Sequence, residues 1–141
     1  MPGPCVFCQI AAGSADSPAV FEWQDSVVLL DHRPLFAGHC LLIPRTHVET
    51  LPDLPAESVG PLFVHARMLC TAVERAMQAE GTFLAVNNRV SQSVPHLHVH
   101  VVPRRKKDGL RGFFWPRTKY RDAEEMESVR LAIRREIEKL S

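Results

Sequence analysis

The chain has 141 residues, 45% of them apolar, enough for one hydrophobic core and one domain. Its formal net charge of +1 offers no field for holding duplex nucleic acid or an anionic membrane surface. No apolar run approaches the ~20 residues of a membrane span, and the start lacks a charged region followed by an apolar one, so the expectation is a soluble cytoplasmic protein.

The cysteines agree with a reducing compartment. Cys40 and Cys70 stand alone in apolar segments, whereas Cys5 and Cys8 form C-x-x-C, a distribution of thiols plus a metal or redox pair and not of a disulfide framework. Residues 5–12 read as a helical turn or slightly more, stopped by Gly13. Their C-x-x-C has three readings. A redox pair wants a preceding strand, which this position does not offer. A zinc site needs two further ligands, which histidines elsewhere can supply, and two incidental buried thiols are the third possibility.

Residues 19–24 and 26–31 read as short strands hinged at Gln24-Asp25. Asp31-His32-Arg33-Pro34 breaks the second, because proline removes a ladder donor and restrains its predecessor. Residues 38–44 are nearly all apolar and read as a strand buried on both faces, with His39 at its entry. Residues 54–80 carry the long helix, with Val59, Leu62, Phe63, Ala66, Leu69, Cys70, Val73, Ala76 and Met77 as its core stripe. Pro61 fits the first turn if the helix proper begins near Ser58, and Gly81 stops it. His65 falls between stripe positions and receives no chemistry.

Residues 82–88 form a fourth strand, and residues 87–93 a polar loop of the kind that supplies donors to an anion. Arg104-Arg105-Lys106-Lys107 reads as a solvated loop or a rim that steers phosphate. Residues 109–120, with Phe113, Phe114 and Trp115, read as a packed loop. Residues 123–140 form an amphipathic helix lined by Met126, Val129, Ile133, Ile137 and Leu140. The sum is an α+β fold in a single domain, 1–141: one antiparallel sheet of about five strands, a long central helix and a C-terminal helix.

The stretch that organises the chain is P-H-L-H-V-H-V-V-P at residues 95–103. On an extended strand His96, His98 and His100 share one face about 7 Å apart, while Leu97, Val99 and Val101 fill the other. Each imidazole can donate, accept, attack or bind a metal. The string His96-Leu97-His98-Val99-His100-Val101-Val102 resembles the signature of the histidine triad family, supported by Gln92-Ser93-Val94, Gly38-His39, Pro44-Arg45-Thr46-His47 and Cys5-Val6-Phe7-Cys8.

That resemblance implies a nucleotidyl hydrolase or transferase acting on a purine nucleoside phosphoramidate or dinucleoside polyphosphate, and a homodimer whose two sheets can join. A neutral imidazole is a competent nucleophile at phosphorus if its other nitrogen's proton is held by an acceptor. The residues do not say which histidine attacks. The family implies His98, with His100 on the phosphate and leaving group and His39 completing the relay. It further implies Asp31 on the ribose hydroxyls, Asn87, Gln92 and Ser93 around the phosphate, and Phe7 and Ile10 beside the base. Ser91 stands where a glycine commonly precedes Gln-Ser, and His32 where an apolar residue follows the acid. Matching bacterial members implies a closed structural zinc site of Cys5, Cys8, His47 and His96, with no organic cofactor. Two other readings are a nucleotide-binding regulatory protein with vestigial catalysis, and a hydrolase whose histidine row itself ligates a catalytic metal.

Overall fold

The computed structural model describes residues 5–13, 19–111 and 117–141, which divide into two compact units, Met1–Asp108 and Gly109–Ser141. In the first unit the elements run α1 (Val6–Ala11), β1 (Phe21–Glu22), β2 (Ser26–Leu30), β3 (Cys40–Pro44), α2 (Ala56–Ala76), β4 (Gly81–Ala85) and β5 (Val99–Arg104). The strands form one antiparallel sheet in the order β1-β2-β3-β5-β4.

β3 lies at the centre of both layers, and all five of its residues are buried. Period-two alternation sends Cys40 and Leu42 to one face and Leu41 and Ile43 to the other. On the first face they join Val28, Leu97, Val99 and Val101 against Leu62, Ala66, Leu69 and Val73 of α2. On the second they join Val27 and Leu29 against Phe7, Ile10 and Ala11 of α1. Leu97, Val99 and Val101 thus point at α2, which turns the histidines between them toward the α1 side. Leu97 is fully buried, so its truncation to alanine should cost about 2–5 kcal/mol.

Several expected boundaries shift, each for a local reason. The triad strand is not extended from Pro95: its ladder begins at Val99, opposite Leu42. Upstream, the Leu97 amide donates instead to the Val48 carbonyl at 2.7 Å. The helix starts at Ala56, before Ser58, and carries Pro61 inside it. It ends before Gly81, because Gln78 takes the left-handed conformation (φ 52°) and the Glu80 amide already donates to the Arg104 carbonyl at 2.9 Å. Gly81 instead opens β4.

The basic run is a solvated loop, exposed at Arg105, Lys106 and Lys107, and it is pinned at three points. Arg104 forms a two-pronged pair with Asp108 at 2.6 and 3.0 Å, Arg105 donates to the Met77 carbonyl closing α2, and the Lys106 amide donates to Glu80 at 3.0 Å. In the second unit, α3 (Ala123–Leu140) has the expected bounds, capped by Asp122, whose carboxylate accepts from the Glu125 amide at 2.8 Å. Its apolar stripe, Met126, Val129, Ile133, Ile137 and Leu140, is exposed. Phe113, Phe114 and Trp115 lie outside the described residues. Among the described residues no helix is long and apolar enough to cross a membrane.

Candidate active site and metal site

The hydrogen bonds of the buried histidines fix their tautomers. His98 is buried, and its Nδ1–H donates to the backbone carbonyl of His96 at 2.7 Å, which leaves the lone pair on Nε2. Phe7 meets this ring edge-on at 5.1 Å. His39 accepts the Leu35 amide at Nδ1, 3.1 Å away, so its neutral ring carries the proton on Nε2. That N–H donates to Nδ1 of His100 at 3.0 Å, and His100 in turn holds its own proton on Nε2. Strand pairing sets this contact, since Leu41 lies opposite His100 and His39 is two residues earlier on the same face.

Burial keeps the two relay rings, His39 and His100, neutral at pH 7. Burial, then His98 and His39, lower the His100 pKa to about 4, with Asp31 opposing. Burial likewise lowers His39, again against the pull of Asp31. Asp31 Oδ2 lies 3.6 Å from His39 Nε2, and Oδ1 accepts the Arg33 amide at 2.9 Å, which holds the carboxylate beside the relay.

His96 belongs to a different cluster. Its Nε2–H donates to the Pro44 carbonyl at 2.8 Å, so the Nδ1 lone pair is free. That atom lies 3.3 Å from Cys5 Sγ, 3.5 Å from Cys8 Sγ and 3.2 Å from His47 Nδ1, and Cys8 Sγ is 3.3 Å from His47 Nδ1. Tetrahedral zinc, with Zn–N of about 2.0–2.1 Å and Zn–S of about 2.3 Å, has ligand-to-ligand edges of about 3.3–3.8 Å. The residues therefore fit such an ion. Donor chemistry agrees: burial, and then the neighbouring Cys5, raise the Cys8 thiol above its ordinary value, a cost that a dication removes. The bond to Pro44 orients the His96 ring for that role.

The three histidines of the row do not converge on one ion, because each turns to separate partners. A second set, Asp31, His39 and His100, brings its ligand atoms within 4.8 Å of one another. There, however, His39 Nε2 carries the proton of the relay, and a metal would have to break the Leu35 bond.

The remaining residues are placed unevenly. Phe7 and Ile10 are buried in the α1-side cluster, with Phe7 against His96 and His98. Asn87 is half-buried in the loop after β4 and Ser93 is exposed. The Gln92 carboxamide is spent inside the protein: its oxygen accepts the Arg89 amide at 2.7 Å, and its nitrogen donates to the Glu49 carbonyl at 2.6 Å. Gln92 thereby clasps a loop in which Arg89 and Ser91 both take positive φ, 72° and 63°. Ser91, where a glycine is common, adopts the conformation that glycine takes most cheaply.

Three features escaped the sequence reading. His65 stacks on Trp23 at 4.1 Å and 7°, and its Nδ1 meets the buried Ser26 hydroxyl at 3.0 Å. Arg45 donates to the carbonyls of Ala11 at 2.6 Å and Trp23 at 2.9 Å, tying α1 to the β1–β2 hairpin. The Leu35 amide is the third. A polar or aromatic residue at a boundary position is the only sequence signal the first two give.

An antiparallel sheet with alternating histidines, one row member aimed at a Cys-Cys-His cluster, one bonded to the backbone and one in a relay with His39, defines a protein of histidine-triad type. The model of the HIT domain matches residues 12–107, and the chain belongs to the HIT family. An HIT-like protein of Mycobacterium tuberculosis is 35% identical over 109 residues, 76% of each chain. An adenylylsulfatase of Arabidopsis thaliana is 32% identical over 75% of this chain and 55% of its own length. A bis(5'-nucleosyl)-tetraphosphatase of Schizosaccharomyces pombe is 30% identical over 77% of this chain and 59% of its own. Family members similar to this chain thus include nucleotide hydrolases. Among solved structures, SMU.412c of Streptococcus mutans superposes with a TM-score of 0.85 at 30% identity, covering 97% of this chain and 87% of that one. A zinc-bound histidine triad protein of Mycobacterium smegmatis does so with a TM-score of 0.70 at 34% identity and 97% coverage of both.

Proposed function

We propose that the protein is a nucleotidyl hydrolase or transferase that cleaves at the α-phosphate of a purine nucleoside phosphoramidate or dinucleoside polyphosphate through a nucleotidyl-histidine. The observation that carries this reading is the bond from His98 Nδ1–H to the His96 carbonyl, which leaves a nucleophilic lone pair on Nε2. That nitrogen attacks the α-phosphorus, a P–N bond forms, and the leaving group departs with the electron pair of its bond to phosphorus and takes up a proton from solvent, which the hydrolytic water later returns. Water then attacks phosphorus, breaks the P–N bond and releases the nucleoside monophosphate. His100 offers its Nε2–H to the phosphoryl oxygens, where charge develops.

Asp31 takes the ribose hydroxyls. Asn87 and Ser93 line the phosphate, with Gln92 holding their loop in shape, and Phe7 and Ile10 form the wall beside the base. Zinc held by Cys5, Cys8, His47 and His96 has a structural role, since four protein ligands leave no open position. Free thiols at all four cysteines suit a cytoplasmic setting, and the functional unit is a homodimer. The adenylylsulfatase and tetraphosphatase relatives support nucleotide chemistry of this class.

The test is a panel of adenylyl and guanylyl phosphoramidates and dinucleoside polyphosphates, read as monophosphate release, with mass spectrometry for the nucleotidyl-protein. His98→Ala should lose turnover by several orders of magnitude and lose the covalent adduct, yet still bind the monophosphate. Near-wild-type turnover by His98→Ala would refute the assignment. Binding without turnover by the wild type would favour a regulatory nucleotide-binding protein.

A further inference from the structure

The loop between Asp31 and His39 is closed by its own backbone. The Asp31 amide donates to the His39 carbonyl at 2.9 Å, and the His39 amide to the Phe36 carbonyl at 3.0 Å. Gly38 makes the turn possible: its φ is +96°, and an added Cβ would lie 2.5 Å from Met77 Cγ. Within this frame the Leu35 amide donates not to a carbonyl but to an imidazole nitrogen, His39 Nδ1. The Leu35 side chain is 54% exposed, so what this residue gives the site is its N–H.

We infer that the Leu35 amide is a positioning group for the reaction proposed above: it holds His39 as the Nε2–H tautomer, which fixes the His39–His100 hydrogen bond in one direction and makes His100 a donor to phosphate. The reasoning follows the protons. A neutral imidazole has one donor and one acceptor nitrogen. If His39 carried its proton on Nδ1, that N–H would face the Leu35 N–H, and Nε2 would present a lone pair to His100. His100 would then have to place its proton on Nδ1, and its Nε2 would become an acceptor. An acceptor nitrogen repels a phosphoryl oxygen that the donor attracts. One backbone amide, two rings away, thus decides the sign of the contact that His100 makes.

Asp31 biases the same tautomer, because its Oδ2, 3.6 Å from His39 Nε2, favours a proton on that nitrogen. The chain also keeps His100 from acting as an acid. Protonating His100 at Nδ1 would set two N–H groups against each other across 3.0 Å. The lowered pKa of His100, about 4, is in keeping with that arrangement.

The test uses zinc-loaded protein labelled with 15N-histidine, in which protonated and unprotonated ring nitrogens resonate in separate ranges, with signals assigned from His39→Asn and His100→Asn. The wild type should show Nε2–H at both rings near neutral pH. Leu35→Pro, which removes the amide, should show mixed tautomers at both. Its kcat for monophosphate release should fall about three- to tenfold, with KM changed less than about twofold, because the donor acts where charge develops in the transition state. Leu35→Ala keeps the amide and should match the wild type in both readouts. A wild-type His39 protonated on Nδ1 would overturn the inference, even if Leu35→Pro failed to fold. So would a folded Leu35→Pro with unchanged tautomers and kcat. The tautomers are read without substrate, so wild-type protein with both rings as Nε2–H but no turnover of any nucleotide would refute the proposed reaction and not the hydrogen-bond chain.

Discussion

The neutral His100 makes stability depend on pH in a way that can be worked from the structure. Its ordinary value of 6.5 falls to about 4 in the folded protein, so between those limits the unfolded chain binds more protons than the native one. Stability therefore rises with pH through that window: it is fully present above about 6.5 and lost progressively as pH falls toward about 4. At one site the slope is at most about 1.4 kcal/mol per pH unit, so lowering the pH from about 7.5 to about 5 should remove about 2 kcal/mol. Urea unfolding at the two pH values measures this, and His100→Asn serves as control because zinc release also weakens the fold in acid. The wild type should lose about 2 kcal/mol more than the variant. Equal losses would mean that His100 titrates normally in the fold, and the neutral relay would be wrong.

Asp31→Asn should weaken binding of a ribonucleoside monophosphate by about 1.5–3 kcal/mol while affecting the 2′-deoxy analogue much less, as titration calorimetry would show; equal losses would mean that Asp31 does not read the ribose. Cys5→Ser should lose zinc and melting temperature together, by elemental analysis and thermal unfolding, because ligand binding energy is folding energy. At a temperature where that variant is still folded, turnover should fall only modestly, since the bond to phosphorus is made by His98; complete loss on chelation of folded protein, restored by zinc, would point to a catalytic metal. Ser91→Gly should raise unfolding stability by up to about 1 kcal/mol, because Ser91 sits at φ 63°, where glycine avoids the Cβ cost; a destabilised variant would show that the serine hydroxyl holds the loop.

The sequence by itself determined what depends on neighbours along the chain. Strict alternation put the histidines and Leu97, Val99 and Val101 on opposite sides, because the pleat has period two whether or not the ladder has begun. The apolar run of β3 announced burial on both faces, and the stripe of α2 its core-facing side. The C-x-x-C with His47 and His96 was legible through the family resemblance, and the four ligand atoms do come together. What only the tertiary structure decided was the partner of each polar atom. Whether His98 Nε2 or Nδ1 holds the lone pair depends on the His96 carbonyl, and whether His100 donates or accepts depends on an amide at Leu35, 65 residues away in sequence. Likewise Gln92 became a loop clasp, and Arg105 and the Lys106 amide became anchors, because Glu49, Met77 and Glu80 arrive from elsewhere in the chain. A hydrogen bond is directional and short, so it is set by where two chain segments meet, and one residue's identity carries no record of that.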